Sequence, residues 1–232
     1  HALEGGLTAT DYLKTSNDLA RLDLAINGLR PVANEAEHTR THRLENAQRI
    51  SKEISARKFE TPFGSFLCDK ADTVFPACRE WLYVSCWHES EHECSAMWKL
   101  YGNDKNSLCL FSTLEKLKGS LSRKSSLNQL EIEPVNYIDH KSDILPSKPI
   151  SPFIAKSKPY SFEKEIRLIA WNSEIDISTN PKNEKTGIFI DIDLHTLIEK
   201  IIISPHADSW FKATVEKLCR DSGLNAEIQN SW

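Results

Sequence analysis

No apolar run in the 232-residue sequence approaches the roughly 20 residues that cross a bilayer as a helix, so no membrane segment is expected. Glycine is scarce, at 8 residues, and none of it falls into GxGxxG, GxSxG or a GxxxxGK phosphate loop. The common Rossmann, P-loop and α/β-hydrolase signatures are therefore missing. The 6 cysteines, at 68, 78, 86, 94, 109 and 219, include no CxxC pair and no tight cluster. They read as reduced thiols in a soluble, cytoplasmic protein rather than as a disulfide framework. A strong excess of either charge is also lacking. A net charge of -4 and a pI near 6.1 give no general drive toward nucleic acid or an anionic membrane. The opening, His1 to Leu7, has no Met and no signal-peptide pattern, and reads as a trimmed terminus outside the fold.

What is present is helical and strand periodicity in alternation. Ser16-Asn17-Asp18 caps an apolar-periodic stretch that Gly28 stops, and Leu44, Ala47, Ile50 and Ile54 mark a second helix over 41–58. With Pro62, Gly64 and Pro76, residues 60–80 read as a connection holding one short strand at most. Strands are expected over 81–87, 107–112, 135–138, 162–171, 187–193, 200–204 and 226–229, all but the short 135–138 joined into one sheet system. Helices are expected over 90–101, 113–117 and from Asp208 to a stop at Gly223. Residues 141–158, rich in Pro, Ser and Lys, read as a mobile loop. This order predicts an α+β fold over 8–232. It is a single domain with a mixed, mainly antiparallel sheet, helical over 8–80 and sheet-rich over 81–232.

Two segments carry candidate chemistry. In Phe162-Glu163-Lys164-Glu165-Ile166-Arg167-Leu168-Ile169-Ala170-Trp171, strand alternation puts Glu163, Glu165 and Arg167 on one face. Two carboxylates about 7 Å apart beside a guanidinium could serve acid–base work in a cleft, or balance charge on a solvated strand. In the segment from Ser85 to Gly102, His88 and His92 stand four apart, near Cys86 and Cys94, but the order matches no metal signature, and no metal site is expected. Trp87, Trp98 and Tyr101 form either core or a stacking surface for a planar ligand.

These blocks resemble a bacterial family called domain of unknown function 2971. The resemblance rests on Val84-Ser85-Cys86-Trp87-His88, Met97-Trp98-Lys99-Leu100-Tyr101, Tyr137-Ile138-Asp139, Pro152-Phe153 with Lys156, the Phe162–Arg167 block, and the run from Leu197 to Phe211. It covers about 81–232. The family's acidic loop near the first helix is replaced by Asn34-Glu35-Ala36-Glu37. By pattern, Glu163-Lys164-Glu165 is similar to the Glu-x-Glu of ADP-ribosyltransferases, which would make NAD⁺ a substrate and the protein an effector or toxin in phage defence. Glu163, Glu165, Arg167 and His88 would then be catalytic, and Trp87, Trp98, Tyr101 and Lys156 would bind substrate. The alternatives are a non-catalytic domain binding a ligand or protein partner, and a metal-dependent nuclease using Glu163, Glu165, Asp139 and His88.

Overall fold

The computed structural model describes residues 16–27, 37–102, 105–121, 127–139, 143 and 148–231. The expected stop at Gly28, the acidic-loop positions 34–36 and most of 140–147 lie outside them. The fold is α+β, with antiparallel and parallel strand pairs and several helices. Its contacts divide the chain into two compact units, 1–87 with 127–186 and 88–126 with 187–232. Among the described residues no helix is long and apolar enough to cross a membrane.

The first unit opens with two helices, α1 (Ser16–Asn27) and α2 (Glu37–Ser55). Ala25 of α1 is buried with Ile50 and Ile54 of α2, residues that follow the helical spacing of an apolar stripe. Asp18, only 1% exposed, accepts a two-pronged hydrogen bond from Arg57, at 2.7 and 2.8 Å. The 60–80 region is not the expected connection. Strands β1 (Lys58–Thr61) and β2 (Gly64–Leu67) form an antiparallel hairpin, and α3 (Ala71–Trp81) follows. The hairpin depends on Gly64 at φ 118°, a conformation that L side chains rarely adopt. Pro76 sits inside α3, where it removes one backbone donor. Ala71, Val74, Ala77 and Cys78 still turn one face of α3 into a core with Phe59, Cys68 and Ile177. Burial of that face outweighs the missing bond.

The rest of the first unit is sheet. Its strands are β3 (Tyr83–His88), β5 (Gln129–Pro134) and β8 (Glu165–Trp171), in the order β3-β8-β5, with β8 in the centre. A short parallel pair, β6 (Asn136–Ile138) with β7 (Ala155–Ser157), lies between β5 and β8 in sequence. The predicted strand 162–171 is corrected at its start. Residues Lys158–Glu163 form a 3₁₀ turn, Lys164 takes a left-handed conformation at φ 40°, and the strand begins only at Glu165.

The second unit holds α4 (Ser95–Tyr101), β4 (Leu108–Phe111), α5 (Leu114–Ser120), α6 (Leu194–Leu197), β9 (Lys200–Ile203), α7 (Ser209–Asp221) and β10 (Glu227–Asn230). Its sheet runs β10-β9-β4, parallel then antiparallel, around the buried run Ile201-Ile202-Ile203. Thr113 caps α5 by accepting from the Lys116 N–H, and Gly223 at φ 71° follows α7, both as expected. Three expectations fail. The helix placed at 90–101 starts at Ser95, and among the described residues 187–193 pair only through Ile192, in one bridge to Leu121. Among the described residues the strands form four small sheets rather than one system.

Ile169, fully buried on central β8 with Ile150, Ile154 and Trp171, should be costly to truncate. Ile169→Ala should lower stability by about 2–5 kcal/mol, whereas Phe189→Ala, at a fully exposed ring, should stay within about 0.5 kcal/mol. Chemical denaturation of the two variants checks the contrast.

Candidate functional site

The first unit brings Lys156, Glu163, Glu165 and Arg167 together. β7 carries Lys156, the 3₁₀ turn carries Glu163, and β8 carries Glu165 and Arg167. The left-handed Lys164 reverses the chain between the two glutamates, so Glu163 does not lie along the strand as alternation predicted. The two carboxylates instead converge on one ammonium. Lys156 Nζ donates to Glu163 Oε2 and, at 3.2 Å, to Glu165 Oε2. Arg167 Nε donates to Glu165 Oε1 at 2.7 Å, and Arg167 donates a further hydrogen bond to the Phe153 carbonyl at 2.5 Å. The Glu165 backbone N–H donates to the Tyr137 hydroxyl at 2.8 Å. The β6–β7 pair thus supplies both an ammonium and a phenol to the start of β8.

Burial decides the electrostatics. Glu163 and Glu165 are 7% and 6% exposed. On β8 the face of Glu165 and Arg167 continues into buried Ile169 and Trp171, so it is not a solvated polar row. Burial alone would raise the Glu165 pKa. Hydrogen bonds from Arg167 and the Cys86 thiol, the Arg167 charge and Lys156 outweigh it and hold the carboxyl at about 2. Burial likewise pulls Lys156 down, but its hydrogen bonds to Glu163 and Glu165 leave it above the ordinary lysine value. Lys156 is therefore an ammonium and not a base or Schiff-base nucleophile. Cys86 is pushed up to about 11, by packing around its sulfur and then by Glu165. Because the Cys86 residue is exposed by area, the carboxylate is the firmer of these two causes. A thiol in that state donates to Glu165 and does not act as a thiolate nucleophile.

Trp87, half-buried on β3, belongs to the first unit, and its indole N–H is buried with no hydrogen-bond partner among the described residues. His88, Trp98 and Tyr101 belong to the second unit. There Trp98 Nε1 donates to Glu93 Oε2 at 3.1 Å, and the Ser231 hydroxyl donates to the same oxygen, tying α4 to the residue after β10. Gly102 ends α4 where a Cβ would come within 2.7 Å of the Trp98 carbonyl oxygen. Tyr101 is exposed. Among the described residues no group of three His, Cys, Asp or Glu is placed to hold a metal ion.

Sequence reasoning missed three parts of the cluster. These are the Tyr137 hydroxyl, the Phe153 carbonyl, and Tyr160, whose ring centroid lies 5.1 Å from Lys156 Nζ. Tyr137 and Phe153 stand inside those blocks, but their roles follow from β6–β7 pairing and from a 3₁₀ turn at Ser151–Phe153 before β7, which have no strong sequence signal. Comparison of the chain with family models, curated proteins and solved structures returned no match. The resemblance described above rests on its quoted residues alone.

The folded pKa of Glu165 lies below its ordinary value of 4.5. Its contribution is therefore complete above about pH 4.5 and is lost as pH falls through about 2, a difference on the order of 3 kcal/mol. Denaturation measured across that window should show wild type losing stability more steeply than Glu165→Gln.

Proposed function

We propose that the Lys156–Glu163–Glu165–Arg167 cluster is the centre of a transferase that cleaves the N-glycosidic bond of NAD⁺, of the ADP-ribosyltransferase type. The observation that carries this reading is the convergence of two buried carboxylates on one ammonium, with Glu165 held at about 2. When the bond between ribose and nicotinamide breaks, its electron pair leaves with nicotinamide and positive charge builds on the ribosyl ring. A carboxylate that stays ionised in a water-poor setting stabilises that charge. The acceptor nucleophile then bonds to the ribosyl carbon and loses its proton to solvent. Lys156 and Arg167, with side chains 15% and 18% exposed, are the more accessible charges and suit the diphosphate. Half-exposed Tyr160 beside Lys156 offers a ring on which a base can stack. In this reading a ribose hydroxyl replaces one of the hydrogen bonds that Glu165 now accepts. The cellular role would be that of an effector or toxin inside bacteria.

A second reading is favoured by the saturation of the cluster. Two carboxylates face two cations, and both oxygens of Glu165 are occupied. Such a network also serves a non-catalytic domain, by locking β7 and the 3₁₀ turn onto β8. The metal-dependent nuclease has no comparable support, since the carboxylates already share Lys156.

The purified chain should consume NAD⁺ and release nicotinamide. Glu165→Gln should lower the rate by about 10²–10⁴-fold and Glu163→Gln by less. Because Glu165 is buried and paired, its melting temperature must be followed in parallel. No NAD⁺ consumption by the folded wild type, combined with a lowered melting temperature in Glu165→Gln, would favour the non-catalytic network. Growth arrest on expression in bacteria, lost in Glu165→Gln, would support the effector role.

A further inference from the structure

A separate cleft lies in the first unit, where the end of α3 and the start of β3 meet the loop 180–186. It is a half-open cleft of about 480 Å³, a size within the usual range for small-ligand sites. Its chemistry is unlike an ordinary apolar pocket. The lining includes Arg79, Glu80, Tyr83, Asn183, Lys185 and Thr186. Glu80 is the one acidic group among the lining residues, and it is already committed. Glu80 Oε1 accepts from Lys182 Nζ at 3.0 Å, and its other oxygen accepts from the Asn183 N–H at 3.5 Å. The Lys182 hydrogen bond and charge hold Glu80 below the usual carboxylate range, so it stays a spent anion. Asn183 is committed as well. Its amide donates to the Glu80 carbonyl at 3.0 Å and to the Tyr83 hydroxyl at 2.8 Å, and its oxygen accepts from the Lys185 N–H at 3.0 Å.

What remains faces the cleft as donors. Arg79 and Lys185 make no ion pair among the described residues, and the Thr186 hydroxyl has no partner among them. The Tyr83 hydroxyl accepts from Asn183, which leaves its proton free to donate. Two cations with no ion pair among the described residues and two hydroxyls, around a cleft of this size, fit a ligand that is anionic and larger than a single oxyanion. The frame is also preformed. Trp81 Nε1 donates to the Asn180 carbonyl at 2.8 Å, and the Glu80–Lys182–Asn183 bonds fix the same loop to the same helix end across about 100 residues of sequence. Tyr83 and Cys86 are three residues apart on β3, so they project from opposite faces, about 10 Å apart along the strand. The cleft is therefore distinct from the carboxylate cluster that Cys86 touches.

We propose that this cleft binds a phosphate-bearing small molecule of nucleotide size, gripped by Arg79 and Lys185 with Tyr83 and Thr186 as neutral donors. Isothermal titration of the full chain with ADP, inorganic phosphate and adenosine tests it. ADP should bind more tightly than phosphate, and adenosine should not bind. Arg79→Gln and Lys185→Gln should each weaken ADP binding about tenfold or more without changing the melting temperature, because both side chains are exposed. Because Lys156 and Arg167 would hold a diphosphate at the proposed NAD⁺ centre, a two-site fit separates the clefts: Arg79→Gln and Lys185→Gln should remove one ADP site, and Arg167→Gln only the other. The inference is overturned if ADP fails to bind at millimolar concentration, if adenosine or phosphate binds as well as ADP, or if both cation variants bind like wild type. Loss of all ADP binding in Arg167→Gln with Arg79→Gln unaffected would place the nucleotide at the carboxylate cluster instead, and would also overturn it.

Discussion

Two carboxylates buried to within a few per cent of full enclosure repel each other, and enclosing both demands a cation between them. The ammonium of Lys156 meets that demand, and the local architecture of the first unit follows from it. β7 must run beside the 3₁₀ turn to deliver Lys156. The chain must reverse at Lys164, in a conformation that costs an L-residue roughly 1–2 kcal/mol, so that Glu163 reaches the same ammonium as Glu165. Arg167 then balances the second carboxylate and, through the Phe153 carbonyl, ties β8 to the turn before β7. A strained residue held by a charge network at the mouth of a central strand is an arrangement found where local geometry serves a function.

The chemistry available to this cluster is narrow. Lys156 is kept protonated, Cys86 is kept a thiol, and Glu165 is kept a carboxylate. General-base lysine and thiolate mechanisms need the opposite states. The proposed glycosyl transfer from NAD⁺ asks instead for a fixed anion beside developing positive charge. The cleft at the end of α3 has the complementary character: its carboxylate is neutralised and its free groups are cations and hydroxyls.

Much of the fold could be read from the sequence where burial follows a single period. α7 with its Gly223 stop, the Ile201–Ile203 strand and the Thr113 cap stand where they were expected. The hairpin and α3 could not be read, because Pro62, Gly64 and Pro76 are local breaking signals, whereas the Ala71–Cys78 face is stabilised by tertiary burial. Of the strand expected at 187–193, only Ile192 has a pairing partner among the described residues, in its bridge to Leu121. Of the candidate site, Lys156, Glu163, Glu165 and Arg167 were legible as residues and illegible as geometry. Period-2 alternation placed the glutamates side by side along a strand. The left-handed turn at Lys164, which no propensity favours in lysine, brings them instead to a shared ammonium.

The central claim is that this shared ammonium and its carboxylates form a substrate site. The most direct measurement is NMR of the isotope-labelled chain, following the Lys156 ammonium and the Glu163 and Glu165 carboxyls as a non-hydrolysable NAD⁺ analogue is added. The account predicts saturable shifts concentrated on these three groups and on the Arg167 guanidinium. Saturable binding that leaves all four unperturbed, or no binding at all, would contradict it.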